Sequence, residues 1–433
     1  MPKTWPLLSS LSTKMMSSCR ITNIGISMTA NPRLLWLTQH YPPAKGGMAL
    51  SCDRLVCYLR RLGVHITLYH LRSGGLEKET GYFAEQGCDH SFPMGTNPAH
   101  SLNLLWHKLE GEYDAVVAYG YPFSMHAGRI FAAWLGLPLI TLLRGNDFDL
   151  SILDHRRYQV LQDTLQASAL VLTVSADKAK RVKALWPQVR VHNMSNGLDS
   201  ERWQPLPLDK EQAKAWRSNN LKNPSQPVIG LFGHLKEKKG LAFFIETFKR
   251  SPLVNNCHLL LIGELDESAA ELLQTLPEGS YTLEPFLDRY QLISRYLVCD
   301  LIAIPSFYEG TPNVLLEAAA LNIPVLGACC GGMADLIFDS LHEREKHVLE
   351  SRLTDSDAAH NLRGQTDSGY LFHPTSAESL LDALVHWQTD TASIRAAKSQ
   401  ALYQTVLSQC GAEAEAERYL AAIKTLVAQT ASH

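Results

Sequence analysis

The sequence predicts an α/β protein made of two doubly wound domains that face each other across a cleft. Three observations carry this. From Arg33 onward, short apolar runs alternate with amphipathic runs of helical spacing. The alternation breaks in a polar, proline-bearing stretch and restarts at Pro227. At 433 residues the chain is too long for one ordinary core and comfortable for two.

Residues 1–30 hold an early lysine and a Ser-rich, mildly apolar stretch without a signal-peptide core. They read as a disordered leader, with Met28 as an alternative start. Residues 31–204 form the first domain. "RLLWLTQHY" is a buried strand, "PPAKGG" a loop, and "MALSCDRLVCYLRRLG" an amphipathic helix stopped by Gly63. "VHITLYHL", "DAVVAYGY", "PLITLLRG" and "SALVLTVS" are further strands, with "HAGRIFAAWLGL" and "ADKAKRVKALW" as helices. Strands alternating with helices imply a parallel sheet covered on both faces. Residues 205–226 read as a linker. The second domain, 227–411, repeats the alternation from "PVIGLFG" to "IPVLGA". A helix over about 412–430 is expected to pack back on the first domain.

Composition narrows the function. Lys+Arg 40 against Asp+Glu 43 gives a net charge of -3, which offers no electrostatic case for nucleic acid. Nine scattered cysteines, without a C-x-x-C pair or zinc spacing, suit a reducing cytosol. The longest apolar run, "FAAWLGLPLITLL", is too short to span a bilayer and contains Pro138. A cytoplasmic protein is expected. A peripheral membrane contact through "KAKRVKALW" stays open beside a plain solvated helix face.

Open α/β sheets bind ligands beyond the carboxyl ends of their strands. The loops to inspect are therefore 39–47, 144–149, 233–240, 263–266, 306–312 and 328–335. The most informative is "SFYEGTPNVLLEAAALNIPVLGACCGG", residues 306–332. Thr311 reads as an N-cap and Pro312 as the first helical residue. The unpaired N–H groups near Asn313 and Val314 favour an anion, with phosphate the natural choice. Glu309 precedes that anion site and suits sugar hydroxyls. Glu317, one helical turn after Asn313, suits a ribose diol. The order sugar, diphosphate, ribose describes a nucleotide-sugar; a loop glutamate and a solvated helix glutamate are the bland alternative. In "GHLKEKKG", Gly233 permits close backbone approach. His234, Lys236, Lys238 and Lys239 supply positive charge. Gly331 and Gly332 follow the next strand in "CCGGMAD".

Taken together, these motifs resemble a family-4 retaining glycosyltransferase of the GT-B fold, with a glycosyltransferase group 1 C-terminal domain. The likeness rests on "GHLKEKKG", the E-x(7)-E pair Glu309 and Glu317, "GTPNVLLEAAALNIPVL", "GGMADLI" and "SGYLFHP". In the first half it rests on "YPPAKGG", "LRGNDFD" and "MSNGLDSERWQP". It spans roughly residues 33–335 and resumes near Asp367. The resemblance implies two Rossmann-like domains and transfer of a hexose from a nucleotide-sugar to a hydroxyl acceptor: a glycan, a lipid carrier or a small molecule. It implies no metal and no further cofactor. Glu309 would hold the donor sugar and Glu317 the ribose. Lys239 would hold the diphosphate, and Gly310, Thr311, Pro312 and Asn313 would line sugar and phosphates. Gly46 and Gly47 fall on the family's N-terminal glycine loop, and the base would lie by Phe286 and Leu287.

Two positions depart from the family pattern. His234 stands where Arg is usual, and Arg144 where His is frequent. One reading is a functional exchange in which Arg144 faces the leaving diphosphate; the other pairs Arg144 with Asp147. The charged segment 338–366 is longer than the family's connection and reads as a surface insertion. Rival readings also differ in kind. Asp147-Phe148-Asp149 offers a D-x-D metal site. A GT-B-fold sugar phosphorylase and a catalytically weak nucleotide-sugar-binding protein share the fold. A dinucleotide oxidoreductase lacks its G-x-G-x-x-G after a strand.

Overall fold

A computed structural model of the chain describes residues 31–73, 80–84, 86–120, 122–337 and 365–430. The leader 1–30 and nearly all of the insertion 338–366 lie outside the described residues. Everything discussed below belongs to one compact unit starting at Pro32.

Two sheets organise the described residues. In the first, β1 (Arg33–Thr38), β2 (His65–Ser73), β3 (Thr80–Ala84), β4 (Gly87–Met94), β5 (Ala115–Tyr119), β6 (Leu139–Leu143), β7 (Leu170–Thr173) and β8 (Val191–Asn193) take the order 3-4-2-1-5-6-7-8. All pairings are parallel except β3 with β4. The strands β1, β5, β6 and β7 are almost wholly buried, as a sheet covered on both faces requires. The β3–β4 hairpin was not expected from sequence. Its second strand, GCDHSFPM, is polar and mostly half-buried, so it carries no apolar run to read.

In the second sheet, β9 (Val228–Phe232), β10 (His258–Ile262), β11 (Tyr281–Glu284), β12 (Leu301–Ile304), β13 (Val325–Ala328), β14 (Gln365–Thr366) and β15 (Gly369–Phe372) take the order 11-10-9-12-13-15-14. In each sheet the strand order reverses beside the domain's first strand, at β1/β5 and at β9/β12. Ligand crevices form at such reversals. The loops after β1, β9 and β12 are among those the sequence singles out.

The stretch 205–226 is not an unstructured connection. It contains the helix Pro207–Asn220, whose Ala213 and Trp216 join the core of the second domain. Its polar composition reflects an exposed outer face. The helix Ala412–Thr430 lies on the first domain, with Ala416, Tyr419, Ile423 and Leu426 packed among Leu34, Trp36 and Leu55. The chain thus crosses between domains twice. The crossings are side by side: Leu198 N–H donates to the Cys410 carbonyl and Ala412 N–H to the Leu198 carbonyl. Among the described residues, no helix is long and apolar enough to cross a membrane.

Candidate active site

The second domain presents its site through two loops that brace each other. Gly240 adopts a left-handed conformation (φ 65°), and a Cβ there would strike the Pro305 carbonyl. The short 3-10 turn Glu237–Lys239 is thereby laid against the loop after β12, where Phe307 N–H donates to the Lys238 carbonyl at 3.0 Å. This contact brings the Lys239 ammonium to a carboxylate oxygen of Glu309, to which it donates. Burial pushes the Glu309 carboxyl up, but Lys239, Lys238 and hydrogen bonds outweigh it, and its pKa lies below the ordinary value. Burial pulls the Lys238 ammonium down, against the opposing pull of Glu309. Gly233 (φ 110°) has open space where a side chain would stand, as close approach of a ligand requires.

The helix after Glu309 runs Asn313–Ala320, with Pro312 as its N-cap residue and no side chain capping it. This corrects the expectation for Thr311. Its hydroxyl instead donates to the Val174 carbonyl of the first domain at 2.6 Å, so the helix start lacks a protein side-chain cap. One turn on, Glu317 accepts from the Tyr296 hydroxyl at 2.6 Å. Burial raises its pKa to about 7, only partly opposed by Tyr296 and Arg54. Tyr296 was not foreseen; it lies in a helix with ordinary amphipathic spacing, and only the fold brings it to Glu317.

Gly331 and Gly332 were expected beside a ligand. They are buried beneath the loop that carries Glu309: side chains there would meet the Glu309 and Gly310 carbonyls and the Thr311 hydroxyl. Their role is to let two loops touch. Gly310 does the same between domains, since a Cβ on it would lie 2.5 Å from Val174 Cγ2 and 2.8 Å from the Arg144 carbonyl.

The first domain contributes its glycine loop. A Cβ on Gly46 would stand 3.6 Å from His234 Nε2, and one on Gly47 would stand 3.1 Å from Asn313 Nδ2. The His234 ring lies 5.6 Å from that of Phe286 and within 3.2 Å of a Glu264 oxygen. The Lys45 ammonium sits 6.0 Å from the Phe286 ring. Leu287 packs against the second core. Gly46 of the first domain therefore faces His234, which lies beside Phe286 in the second.

Arg144 does not join them. Its side chain is buried, donates to the Tyr419 hydroxyl at 2.9 Å and to Asn196 Oδ1, and stacks over Tyr119. Neither expected reading holds for the guanidinium: it faces the last helix rather than a diphosphate, and it does not pair with Asp147. The physical reason is enclosure: Tyr119, Asn196 and Tyr419 surround the guanidinium and take its N–H groups and its face. Asp147, a candidate site residue from sequence as partner of Arg144 or half of a D-x-D, is buried and accepts from the backbone N–H groups of Arg144, Gly145 and Phe148. It shapes the turn. Asp149 pairs with the buried Lys178 at 2.6 Å. Both carboxylates of the D-x-D are thus engaged inside the protein, and no group of three metal-ligating side chains occurs among the described residues.

The arrangement can hold an anion at the bare helix start beside Lys239, and hydroxyl donors at Glu309 and Glu317. Comparison with known proteins bears on the family and the fold. The family model for "Glycosyltransferase Family 4" matches residues 45–202, and that for "Glycosyl transferases group 1" matches residues 212–343. An alpha-maltose-1-phosphate synthase of Mycolicibacterium smegmatis is 23% identical over 341 residues, covering 71% of this chain and 82% of the relative. A D-inositol 3-phosphate glycosyltransferase of Xylanimonas cellulosilytica is 24% identical over 356 residues, covering 72% and 84%. Among solved structures, the sucrose-phosphate synthase of Thermosynechococcus elongatus superposes with a TM-score of 0.73 at 16% identity, covering 92% of this chain and 100% of that one. Anabaena Alr3699/HepE in complex with UDP-glucose follows at 0.65 and 16%, covering 93% and 99%. The two matched segments, in this order on two facing α/β domains, mean that the chain belongs to the family-4 glycosyltransferases of the GT-B fold, with a group 1 second domain.

Proposed function

We propose that the protein transfers a hexose from a nucleotide-sugar to a hydroxyl acceptor, with retention of anomeric configuration and without a metal ion. The observation that carries this reading is the meeting of Lys239 and Glu309 at the uncapped start of the helix bearing Glu317. The diphosphate lies at the helix start, its charge met by Lys239 and by backbone N–H groups. Glu309 accepts from sugar hydroxyls and Glu317 from the ribose. The base rests by Phe286 and Leu287, with His234 and Lys45 beside Phe286.

In the reaction the bond from the anomeric carbon to the diphosphate oxygen breaks and the acceptor oxygen bonds to the same face. The acceptor proton passes to an oxygen of the departing diphosphate, so no protein base is named. Catalysis comes from stabilising that departing charge in a site from which the domains exclude water. That the Anabaena neighbour is complexed with UDP-glucose supports a sugar nucleotide as donor.

The test is incubation with a panel of UDP-, ADP-, GDP- and dTDP-sugars, following nucleotide release and then the anomeric proton of any transferred sugar by NMR. Release of one nucleotide and a product of the donor's own anomeric configuration are expected. An inverted product, or no release from any donor, sinks the reading.

A further inference from the structure

Between the domains runs a line of polar contacts that donor binding does not explain. At its centre is Asn196, 4% exposed, in the first crossing segment. Its Oδ1 accepts from Arg144 Nη2 and from Arg54 Nη2, the latter at 2.8 Å. Guanidinium groups only donate, so this end of the amide is its oxygen. Its Nδ2 then faces the second domain, donating to Asn313 Oδ1 at 2.6 Å and approaching the Thr311 carbonyl at 3.4 Å.

That direction fixes the next amide. Asn313 Oδ1 is taken by Asn196, with the Ser51 hydroxyl at 3.5 Å, so Asn313 Nδ2 turns to the Gly47 carbonyl at 3.3 Å. Behind Asn196 the arginines are themselves held. Arg54 gives two N–H bonds, each 3.1 Å, to Glu415 Oε2, and Arg144 donates to Tyr419. Glu415 is fully buried on the last helix. A directional relay therefore leads from the Ala412–Thr430 helix, through Arg54 and Arg144, to Asn196, to Asn313 and to the glycine loop.

We propose that Asn196 is a positioning residue for glycosyl transfer: its amide sets how the start of the Asn313 helix stands against Gly46 and Gly47. This rests on the donor reading of that helix start. Asn313 thereby spends its side chain on the interface, and only its backbone N–H faces a donor phosphate. The residue acts through Asn313 and touches no reacting atom.

The direction of the relay makes the proposal testable with one atom's change. Asn196→Asp keeps shape and still accepts from both arginines, but has no N–H to give. Its carboxylate would stand against Asn313 Oδ1 and the Thr311 carbonyl. If the Asn313 amide turned over to meet it, the Asn313 oxygen would oppose the Gly47 carbonyl. Either way one contact between the domains becomes repulsive.

Full-length wild type and Asn196→Asp are compared by small-angle X-ray scattering without ligand, then by steady-state kinetics on whichever panel donor the wild type releases. The radius of gyration should rise by about 1 Å or more above the roughly 22 Å of a compact chain of this length. The kcat should fall at least about tenfold with donor KM within about threefold. Asn313→Ala should lower kcat similarly, and adding it to Asn196→Asp should cost little more. Unchanged scattering, or a kcat per folded molecule equal to wild type, overturns the proposal. If the wild type releases no donor, the donor reading fails by itself and scattering alone decides the relay.

Discussion

Lys239 and Glu309, seventy positions apart in the chain, meet as donor and acceptor with side chains 20% and 11% exposed. Each satisfies the other. In the proposed reaction the donor inserts into that relationship: its diphosphate draws on the lysine, and its sugar hydroxyls donate to the glutamate.

Removing either partner should therefore separate two effects. Glu309→Ala should chiefly lower kcat, because sugar contacts align the reacting carbon. Lys239→Ala should lower kcat and weaken donor binding, and should also cost about 1–3 kcal/mol of stability by stripping a buried carboxylate of its nearest partner. The Glu309 pKa is depressed in the folded protein. Its contribution is thus present above the ordinary carboxylate range and is lost as pH falls through the folded value. Thermal melts at neutral and acid pH check this: the gap between wild type and Lys239→Ala should close on acidification.

Glu317 behaves in the opposite sense. Burial raises its pKa to about 7 from 4.5, so the folded protein holds this proton more tightly than the unfolded chain. Its effect on stability is most favourable below 4.5 and is lost as pH rises to about 7. In the proposed reading, ribose recognition needs the ionised form, which accepts two hydroxyls where the acid accepts fewer. Nucleotide affinity, measured by calorimetry, should strengthen as pH rises through about 7. Glu317→Gln should flatten that dependence. A wild-type profile in the mutant would detach Glu317 from the ribose.

Arg144 is a test of burial against sequence pattern. Arg144→Ala should cost about 3–5 kcal/mol in stability, because it takes the guanidinium from Tyr419 and one of the two donors from Asn196, beside a buried Glu415. Urea unfolding measures this. Arg144→His combined with His234→Arg should show no recovery beyond the sum of the single changes, since Arg144 points into the first domain and His234 into the cleft. Recovery would restore the exchange reading.

Metal dependence separates the engaged carboxylates from a D-x-D centre. Activity should survive dialysis against EDTA. Asp149→Ala should instead unfold the protein more easily, by about 3–5 kcal/mol, because Lys178 is 1% exposed and would lose its carboxylate. Manganese should restore nothing. Loss of activity to EDTA with rescue by manganese would reverse the assignment.

The sequence by itself determined the two doubly wound domains, because buried strands and amphipathic helices write local periods into the chain. It picked out candidate loops, since these follow strands, and marked Glu309 and Glu317 by their spacing; Lys239 was one of four basic residues on its loop, and the family resemblance singled it out. It misread the helix Pro207–Asn220 as a linker, whose few buried residues are outnumbered by polar ones. What it did not carry was direction. Arg144, Asp147, Gly331 and Gly332 sit on the expected loops, yet they face inward or support a neighbour. Asn196 and Tyr296 acquire meaning only beside Asn313 and Glu317, over a hundred and some twenty positions away. Hydrogen bonds between distant segments depend on how two domains approach, and that approach was decided by the tertiary structure: glycines such as Gly310 that let backbones touch, and a last helix whose apolar face returns to the first core.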